Sequence, residues 1–375
     1  MPKRIKVGFL YIGGRHQVAH SAPVAAELAL RGRVEVRAFA ATQAEVDCFD
    51  AIARQCGCPD LVATRFRRPP LISSLIAGFP AVSALKVPIV VANLPHLARC
   101  NALVTTERTS SFLGRIPGWP PQMVHIPHGA GDRAVGFEPR LSRFDHVITA
   151  GSKDRSRIIS SGLQPAERVT AAGAVKLGHI LGNTPTPTLG LDISRRTILY
   201  NPHFSKKLGS WPNAERVWHA LATRPDWNLI IAPHIRLADR LSPEEKSRWE
   251  KRAVPGRIIV DFGSERSVDM SYTRAADLYL GDVSSQVYEF IAEPRPCVFL
   301  NDGAAIWQDN HDYLHWTLGE VITRDDDLSQ AINAAFLNHG AFASRQEAAV
   351  KAALGDVENA AALAADKIEQ LCLER

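Results

Sequence analysis

The sequence is poor in cysteine and has no uninterrupted apolar run long enough to cross a membrane. Its six cysteines are scattered over 375 residues, which is not the spacing of a disulfide scaffold. The longest apolar stretch, residues 71–94, contains Pro80, Lys86 and Pro88, and the run after the basic start breaks at Gly13. A spanning helix or a secretory leader needs a longer run. These absences argue against membrane-spanning and disulfide-rich secreted proteins and predict a cytoplasmic location.

Motifs for metals, dinucleotides and nucleic acids are also missing. Cys56 and Cys58 have no second Cys or His pair at zinc-finger spacing, so we interpret them as structural. No Asp-x-Asp pair follows a strand, as a divalent-cation site would favour, and the glycines at 13 and 14 lack the G-x-G-x-x-G spacing of NAD-binding loops. Aromatic residues are not interleaved with Lys and Arg as in nucleic-acid modules. We therefore expect no metal, no cofactor and no nucleic-acid partner.

The chain does contain enough apolar residues for two cores, and its charge is uneven. Hydrophobic residues make up 46% of the 375 positions, which suits two domains. Residues 1–185 carry 23 Lys and Arg against 12 Asp and Glu, whereas residues 186–375 carry 21 against 27. A basic first half and an acidic second half indicate two surfaces with different partners.

Apolar strand patterns alternate with helical stretches in both halves. The clearest unit joins a strand at 5–11 through a Gly-Gly loop to a helix at 21–32 and a strand at 34–39. Further strands are predicted at 88–92, 122–126, 146–149, 197–202, 227–233, 257–260, 276–282 and 296–300. This alternation predicts parallel sheets with helices on both faces.

A polar, Pro-rich segment at residues 183–190 is the predicted linker. It separates a first Rossmann-like domain, residues 1–183, from a second, residues 190–375. Ligands of such α/β sheets bind beyond the carboxyl ends of the strands. We therefore expect an α/β protein whose two Rossmann-like domains face each other across a cleft, an architecture that resembles the GT-B glycosyltransferases.

The most informative segment begins at Asp282, where a predicted strand ends. Ser284 and Ser285 then stand at the start of a helix, where hydroxyls and backbone N–H groups can hold phosphate oxygens. Glu289 follows about one turn later, where its carboxylate can accept hydrogen bonds from ribose hydroxyls. The alternative is an ordinary helix cap followed by a solvated glutamate.

This segment resembles the D-Y-S-S-x-x-x-D/E element of the CDP-glycerol glycerophosphotransferases, the family of teichoic-acid polymerases and primases. The resemblance covers residues 120–310 and implies a GT-B fold whose second domain binds the donor nucleotide. It places Asp282, Ser284 and Ser285 at the donor phosphates. It places Glu289 at the ribose.

Two histidine motifs extend the resemblance. His128-Gly129 ends a strand pattern as in the family's W-H-G-T-P-x-K element, and Pro233-His234 ends another as in its R-x-H-P element. The resemblance implies catalytic roles for His128 and His234, since imidazole can take a proton from an acceptor hydroxyl and donate to a phosphate. A hydrogen-bonded structural histidine at a strand end is the alternative.

The motifs depart from the family at several positions. His-Gly is followed by Ala-Gly-Asp-Arg instead of Thr-Pro-x-Lys, so a catalytic cation would be Arg133. The R-x-H-P element has Ala232 in place of its Arg. The segment similar to the family's Y-x-P-T-x-R element has His203 and no Arg directly after it. By resemblance, His203 and Lys206 would contact the donor phosphates, with Lys207 as a further cation.

The loop Gly13-Gly14-Arg15-His16 is similar to the first loop of lipid-linked GT-B enzymes. It also resembles that of UDP-GlcNAc 2-epimerases, which share the fold. In the transferases this loop belongs to the acceptor domain, so the resemblance implies an acceptor loop here. The alternative is a strand-to-helix turn that needs glycine for its dihedral angles.

A basic segment lies further along the same half. Arg65, Arg67 and Arg68 flank Phe66 and precede Leu71. Charge beside insertable apolar groups is typical of a peripheral contact with anionic lipid or with a polyanionic acceptor. We therefore expect a peripheral location at the inner face of the membrane, with a solvated basic loop as the alternative.

The resemblance implies a GT-B enzyme that moves a glycerol-phosphate, polyol-phosphate or sugar unit from a CDP- or UDP-linked donor to a hydroxyl of a cell-envelope glycan or lipid. His128 is the predicted base, and His234 with Arg133 would stabilise phosphate charge. Two alternatives remain. One is a UDP-GlcNAc 2-epimerase-like enzyme, which would want paired carboxylates for proton transfer. The other is a non-catalytic nucleotide-sugar-binding partner in envelope synthesis.

Overall fold

The computed structural model describes residues 4–67, 82–132, 136–183, 185, 187–205 and 208–374, with the backbone alone for residues 82–85. Its strands form two sheets, and every neighbouring pair of strands runs parallel. The predicted α/β fold with parallel sheets is therefore confirmed.

The two sheets have similar strand orders. The first runs β3-β2-β1-β4-β5-β6-β7 and the second β10-β9-β8-β11-β12-β13. The strands of the first sheet are β1 Lys6–Tyr11, β2 Glu35–Ala40, β3 Ala63–Arg65, β4 Ala102–Thr105, β5 Gln122–His125, β6 His146–Thr149 and β7 Val169–Ala171. Those of the second are β8 Arg196–Asn201, β9 Trp227–Ile231, β10 Ile258–Val260, β11 Leu278–Gly281, β12 Cys297–Leu300 and β13 Glu320–Ile322.

Helices connect most of the strands. The α-helices before β8 are α1 Ala22–Arg31, α2 Gln43–Gln55, α3 Val82–Ala92, α4 Leu94–Leu97, α5 Ser152–Ser160 and α6 Val175–Asn183. Those after it are α7 Ala214–Leu221, α8 Ile235–Ala238, α9 Pro243–Glu250, α10 Ser271–Ala275, α11 Gln286–Phe290, α12 Leu328–Asn338, α13 Gly340–Leu354 and α14 Ala360–Leu373.

The first β-α unit follows directly from its sequence. The last five residues of β1 are buried, and Gly8 lets the neighbouring strand approach, because a Cβ there would lie 2.6 Å from Cδ2 of Leu103. Pro23 stands in the first turn of α1, where its missing N–H costs nothing. The helix ends where Gly32 adopts a left-handed φ of 66°.

The chain divides into two compact units. The first comprises Met1–Ala130, Phe137–Asn183 and Ala352–Arg375, and the second comprises Gly131–Gly136 and Thr184–Lys351. The crossing at residue 183 falls at the predicted linker. The units differ from the predicted domains 1–183 and 190–375 in two places. Residues 131–136 belong to the second unit, and residues 352–375 belong to the first.

Helix α14 explains why the end of the chain belongs to the first unit. Ala364, Ala365 and Ile368 are fully buried in the same apolar cluster as β1 and α1. Small side chains let the helix approach closely, and a Cβ added at Gly173 would lie 2.7 Å from that of Ala360. The Ala-rich helix therefore completes the first core, which the sequence did not indicate.

One predicted strand is a helix. Residues 88–92 form the second half of α3, with Pro88 inside it, because proline cannot donate to a sheet ladder and Ile89 and Val90 pack into the core beside Leu97. The place next to β1 is taken instead by β4, whose apolar run is too short to stand out in the sequence. The three-residue strands β3, β7 and β13 also escaped prediction.

Over the ranges that it describes, the structure contains neither of the two features that the sequence argued against. None of the six cysteines, all within the described residues, forms a disulfide bond. In the described part of the chain, no helix is long and apolar enough to cross a membrane.

Candidate functional site

Three loops of the first unit converge because β1, β4 and β5 are neighbours in the sheet. Parallel strands bring their carboxyl ends to one edge. The loop after β1 supplies Gly13, Gly14 and Gln17, the loop after β4 supplies Glu107, and the loop after β5 supplies His128.

The two glycines make room for one side chain. Gly14 has a φ of 104°, which favours glycine, and its N–H donates to Oε1 of Glu45 at 2.7 Å. A Cβ added at Gly13 would overlap Oε1 of Gln17 and lie 2.6 Å from its Nε2. The side chain of Gln17, which is 1% exposed, therefore packs directly against the turn and reaches the loops after β4 and β5.

His128 contacts two of these loops through its two ring nitrogens. Nδ1 lies 2.9 Å from the carbonyl oxygen of Thr106, and because a carbonyl only accepts, Nδ1 carries a proton. Nε2 lies 3.2 Å from Nε2 of Gln17. In the neutral ring, Nε2 is therefore the nitrogen with the lone pair, as a general base requires.

Glu107 is one of the carboxylates at this edge. It pairs with Lys86 at 3.0 Å and accepts from Nε2 of Gln17 at 3.2 Å and from Oγ1 of Thr109 at 3.0 Å. Burial opposes its ionisation, but the charge of Lys86 and these hydrogen bonds outweigh burial and lower the pKa of Glu107 to about 2. Glu107 is therefore ionised at neutral pH.

His16, His20 and His128 form what we call the imidazole cluster. The ring centroids of His16 and His20 lie 6.0 and 6.4 Å from that of His128. Burial and the positive charge of Lys176 hold the pKa of His20 well below its ordinary value. Arg15, the remaining residue of the predicted acceptor loop, is half-buried, and its carbonyl accepts from the thiol of Cys48 at 3.8 Å. The cluster is suited to exchanging a proton with a hydroxyl-bearing ligand.

Not every histidine of the strand-end motif belongs to this cluster. His125 is buried, its Nδ1 lies 2.9 Å from the carbonyl oxygen of Thr105, and its ring stacks on Phe144 at a centroid distance of 4.7 Å. Burial lowers the pKa of His125 to about 3. His125 is thus a neutral core residue.

The basic segment differs from its predicted role at one residue. Phe66, which we expected to insert into a lipid surface, is 4% exposed and stacks on Phe39 at 5.7 Å. Arg65 and Arg67 are exposed. Arg68 and Leu71 lie outside the described residues, so the described part of the segment offers charge without an exposed aromatic ring.

The second unit carries its own cluster at the carboxyl ends of β8 and β9. His203 follows β8 and His234 follows β9, and their ring centroids lie 5.6 Å apart. Backbone N–H groups donate to Nδ1 of both rings at 3.1 Å, from Ser205 to His203 and from Arg236 to His234. Because each Nδ1 accepts, each neutral ring carries its proton on Nε2. The pair therefore supplies two N–H donors.

Two arginines contact Phe204, whose ring also contacts both imidazoles. The guanidinium groups of Arg236 and Arg240 each lie 5.4 Å from the ring centroid of Phe204, a cation–π distance. Nη1 of Arg240 also donates to the carbonyl oxygen of Phe204 at 3.1 Å. We call His203, His234, Phe204, Arg236 and Arg240 the His-Arg cluster. Its N–H donors and positive charge favour an anionic ligand such as phosphate.

Asp282, predicted at the donor phosphates, is buried and holds the loop after β8. Its carboxylate accepts from the backbone N–H of His203 at 3.1 Å and from the N–H and Oγ of Ser210 at 2.6 and 2.9 Å. Burial raises the pKa of Asp282, and these hydrogen bonds oppose the rise. The carboxylate of Asp282 is buried and already accepts hydrogen bonds from this loop. Asp282 therefore positions His203, and a carboxylate has no N–H or O–H to donate to a phosphate.

A second buried carboxylate, Asp132, organises the other side of this unit. It accepts from Oη of Tyr288 at 2.8 and 2.9 Å and from the N–H of His315 at 2.8 Å, and it lies 2.8 Å from Nδ1 of that histidine. Nε2 of His315 and Nε1 of Trp316 both lie within 3.0 Å of the carbonyl oxygen of Asp282. Asp132 is thereby joined through His315 to the end of β11.

The predicted serine pair and Glu289 lie at different depths. Ser284 is 2% exposed and its Oγ accepts from the N–H of Gln286 at 3.4 Å, as a helix cap does. Ser285 is half-buried. Glu289 is half-buried and lines a small pocket together with Asn201, Ala232 and Gln286. Ser285 and Glu289 are therefore the more accessible members of the predicted element, whereas Asp282 and Ser284 are buried.

Three of the predicted cations, Arg133, Lys206 and Lys207, lie outside the described residues. Sequence reasoning missed Gln17, Glu107 and Lys86 in the first unit. It also missed Arg236, Arg240 and Asp132 in the second. The one available signal was the polar run Thr105-Thr106-Glu107 directly after a short apolar run, the same arrangement as at His128.

Solved structures similar to this chain are GT-B proteins. A putative UDP-N-acetylglucosamine 2-epimerase from Listeria monocytogenes is 14% identical with a TM-score of 0.65, over 98% of this chain and 95% of that one. A UDP-GlcNAc 2-epimerase from Neisseria meningitidis, bound to UDP-GlcNAc, is 12% identical with a TM-score of 0.61, over 98% and 100%. The wall teichoic acid polymerase TagF is 14% identical with a TM-score of 0.61, over 99% and 90%.

These similarities establish the fold. No family model matches the sequence, and no curated protein matches it. At such low identity, an epimerase and a polymerase match this chain about equally well. The chain has the GT-B fold with its two α/β units, and the fold alone does not choose between the two families.

Proposed function

We propose that this chain is a GT-B enzyme that binds a CDP- or UDP-linked donor through its second unit. In this proposal it transfers a glycerol-phosphate, polyol-phosphate or sugar unit to a hydroxyl of a cell-envelope glycan or lipid. The observation that carries the proposal is the His-Arg cluster, where two imidazoles and two guanidinium groups surround the ring of Phe204 at the ends of β8 and β9. CDP- and UDP-linked donors share a pyrophosphate group, and N–H hydrogen-bond donors with positive charge beside them suit such an anion.

The first unit supplies the base in this proposal. Nε2 of His128 takes the proton of the acceptor hydroxyl, while Nδ1 stays bonded to Thr106. The acceptor oxygen bonds to the phosphorus of a glycerol-phosphate donor, or to the anomeric carbon of a sugar donor. The bond to the nucleotide breaks, and its electron pair remains on the leaving phosphate.

The second unit stabilises the leaving group in this proposal. The N–H donors of His203 and His234 and the charge of Arg236 meet the negative charge that grows on the leaving phosphate. Ser285 contacts the donor phosphates and Glu289 the ribose, whereas Asp282 positions the loop that carries His203. Arg133 and Lys206 remain assigned to the phosphates from the sequence alone.

A UDP-GlcNAc 2-epimerase-like enzyme is the second candidate, because several of the similar solved structures are such epimerases. Such an enzyme would want paired carboxylates for proton transfer beside the sugar. Of the two carboxylates at this edge, Glu45 is buried and occupied by the N–H groups of Gly14, Ala41 and Thr42. Glu107, with a pKa of about 2, is a weak base at neutral pH. We therefore rank transfer first.

Donor binding tests the proposal and separates the candidates. CDP-glycerol, UDP-GlcNAc, UDP and CMP are titrated by thermal shift and calorimetry. We expect one nucleotide class to bind. The double variant His234→Gln/Arg236→Gln should weaken its Kd about 10- to 100-fold, the effect of losing one or two charged hydrogen bonds. His219→Gln/Arg224→Gln, at exposed or half-buried positions at and after helix α7, is the matched control and should bind like wild type.

Each outcome selects one candidate. Release of CMP or UDP in the presence of a polyol-phosphate or glycan acceptor supports transfer. Deuterium incorporation at C2 of UDP-GlcNAc in heavy water, without an acceptor, supports epimerisation, because that reaction must break the C2–H bond. Binding without either reaction supports the non-catalytic partner. If none of the four nucleotides binds, the proposal is refuted.

A further inference from the structure

We propose that Gln17 is a positioning residue, whose amide keeps Nε2 of His128 as the proton acceptor of the imidazole cluster. The inference rests on the proposed function for the reaction that uses the proton, whereas the contacts that carry it lie entirely within the first unit. No motif marks Gln17, which stands in the 3₁₀ helix Arg15–His20 directly after the two glycines.

Glu107 gives the amide of Gln17 a single orientation. Nε2 of Gln17 lies 3.2 Å from Oε2 of Glu107 and 3.2 Å from Nε2 of His128. Lys86, 3.0 Å from the same Oε2, keeps Glu107 ionised, and an ionised carboxylate only accepts. The atom facing Glu107 is therefore the amide nitrogen, and its second N–H is directed to His128.

Two contacts then determine the state of the imidazole. The carbonyl of Thr106 requires a proton on Nδ1, but by itself it would also accept a doubly protonated ring. The N–H of Gln17 disfavours the doubly protonated ring, because a donor facing Nε2 needs a lone pair there. Together they select the neutral ring with its lone pair on Nε2. At 3.2 Å this contact is at the long end of the hydrogen-bond range, so an acceptor hydroxyl can replace it.

Several other charged and titratable groups surround His128. They are the imidazoles of His16, His20 and His125, the Glu107–Lys86 pair, and Lys176 beside His20. A substitution at Gln17 does not replace any of these groups. A change in the titration of His128 in such a variant therefore reports on the amide.

Nitrogen-15 NMR of the full chain, labelled at histidine, tests the proposal without any substrate. Two-bond proton–nitrogen spectra distinguish the two neutral forms and the doubly protonated form, and His128→Gln identifies the signals. At pH 7.5 we expect wild-type His128 to be neutral with its proton on Nδ1. In Gln17→Glu a carboxylate faces Nε2, so the midpoint of the His128 titration should rise by about 1–2 pH units. Gln370→Glu, the same change at an exposed position of α14, is the control and should leave it unchanged.

A second variant covers the case in which Gln17→Glu does not fold beside Glu107. Gln17→Met removes the donor without adding charge, and we expect the midpoint to rise by about 0.5–1 unit, because a hydrogen bond to the neutral form is lost. A folded Gln17 variant whose His128 keeps the wild-type titration and proton position overturns the proposal. If the titration shifts but no donor supports transfer, the proposed function fails while the role of Gln17 stands. If transfer occurs and the titration is unchanged, only the role of Gln17 fails.

Discussion

Replacing Gly13 by alanine should remove Gln17 from its place in the imidazole cluster. The added Cβ would overlap Oε1 of Gln17, so the side chain must move away. It then loses its hydrogen bonds to Glu107 and to His128, both 3.2 Å long. A hydrogen bond to a charged group contributes about 1.5–3 kcal/mol and a neutral one about 0.5–1.5 kcal/mol. We therefore expect the free energy of unfolding of the first unit to fall by about 2–4 kcal/mol.

A double-mutant cycle in urea unfolding isolates the clash. In the Gln17→Ala background the overlapping atoms are gone, and Gly13→Ala should then cost less than about 0.5 kcal/mol, because residues that share no contact act additively. Gly182→Ala is the control, since an added Cβ there meets nothing within 4 Å and alanine in a helix should stabilise by about 0.5–1 kcal/mol. An equal cost of Gly13→Ala with and without the Gln17 side chain would refute the reasoning and assign the cost to the backbone of the turn.

Two further predictions concern the carboxylates Asp132 and Glu107. Tyr288→Phe removes the hydroxyl that donates to both oxygens of Asp132 at 2.8 and 2.9 Å, and it should lower the unfolding free energy of the second unit by about 1.5–3 kcal/mol. In the same urea assay Tyr313→Phe should have almost no effect. Glu107 has a folded pKa of about 2, below its unfolded value of about 4.3. Its contribution is therefore fully present above pH 4.3 and lost as pH falls through 2, on the order of 3 kcal/mol in total. Lys86→Met should reduce the fall of the unfolding free energy of the first unit between pH 4.3 and pH 2. The same fall in the variant as in wild type would contradict the assignment.

Periodicity predicted most of the longer strands because their apolar runs are continuous. β6 and the strands around Ile198 and Ile230 were found within one or two residues, since each fills a fully buried place in a parallel sheet. Some strands of three or four residues, such as β4, carry too few apolar positions to stand out, although β6 and β10 were predicted at the same lengths. The apolar run around Pro88 looked like a strand, and only the competition for the place beside β1 decided otherwise.

Some residues of the candidate site could be predicted from the sequence and others could not. His128, His203 and His234 could be predicted because histidine at a strand end is a conspicuous residue at a conspicuous position. Gln17 and Lys86 could not, since a lone glutamine in a turn and a lysine inside an apolar stretch have no local pattern. Their role appears only when the topology places β1, β4 and β5 side by side.

The place of helix α14 in the first core has a consequence for the order in which the chain is synthesised. The helix begins at Ala360, whereas the last strand of the same unit ends at Ala171 and its helix α6 ends at Asn183. At about 5–20 residues per second, a ribosome needs on the order of 10–35 s to translate the intervening stretch. During that time the apolar face that Ala364 and Ile368 will cover stays open on the nascent chain, while the whole second unit emerges and can fold. The first unit to be translated is therefore the last to close, and its apolar core stays incomplete until α14 emerges.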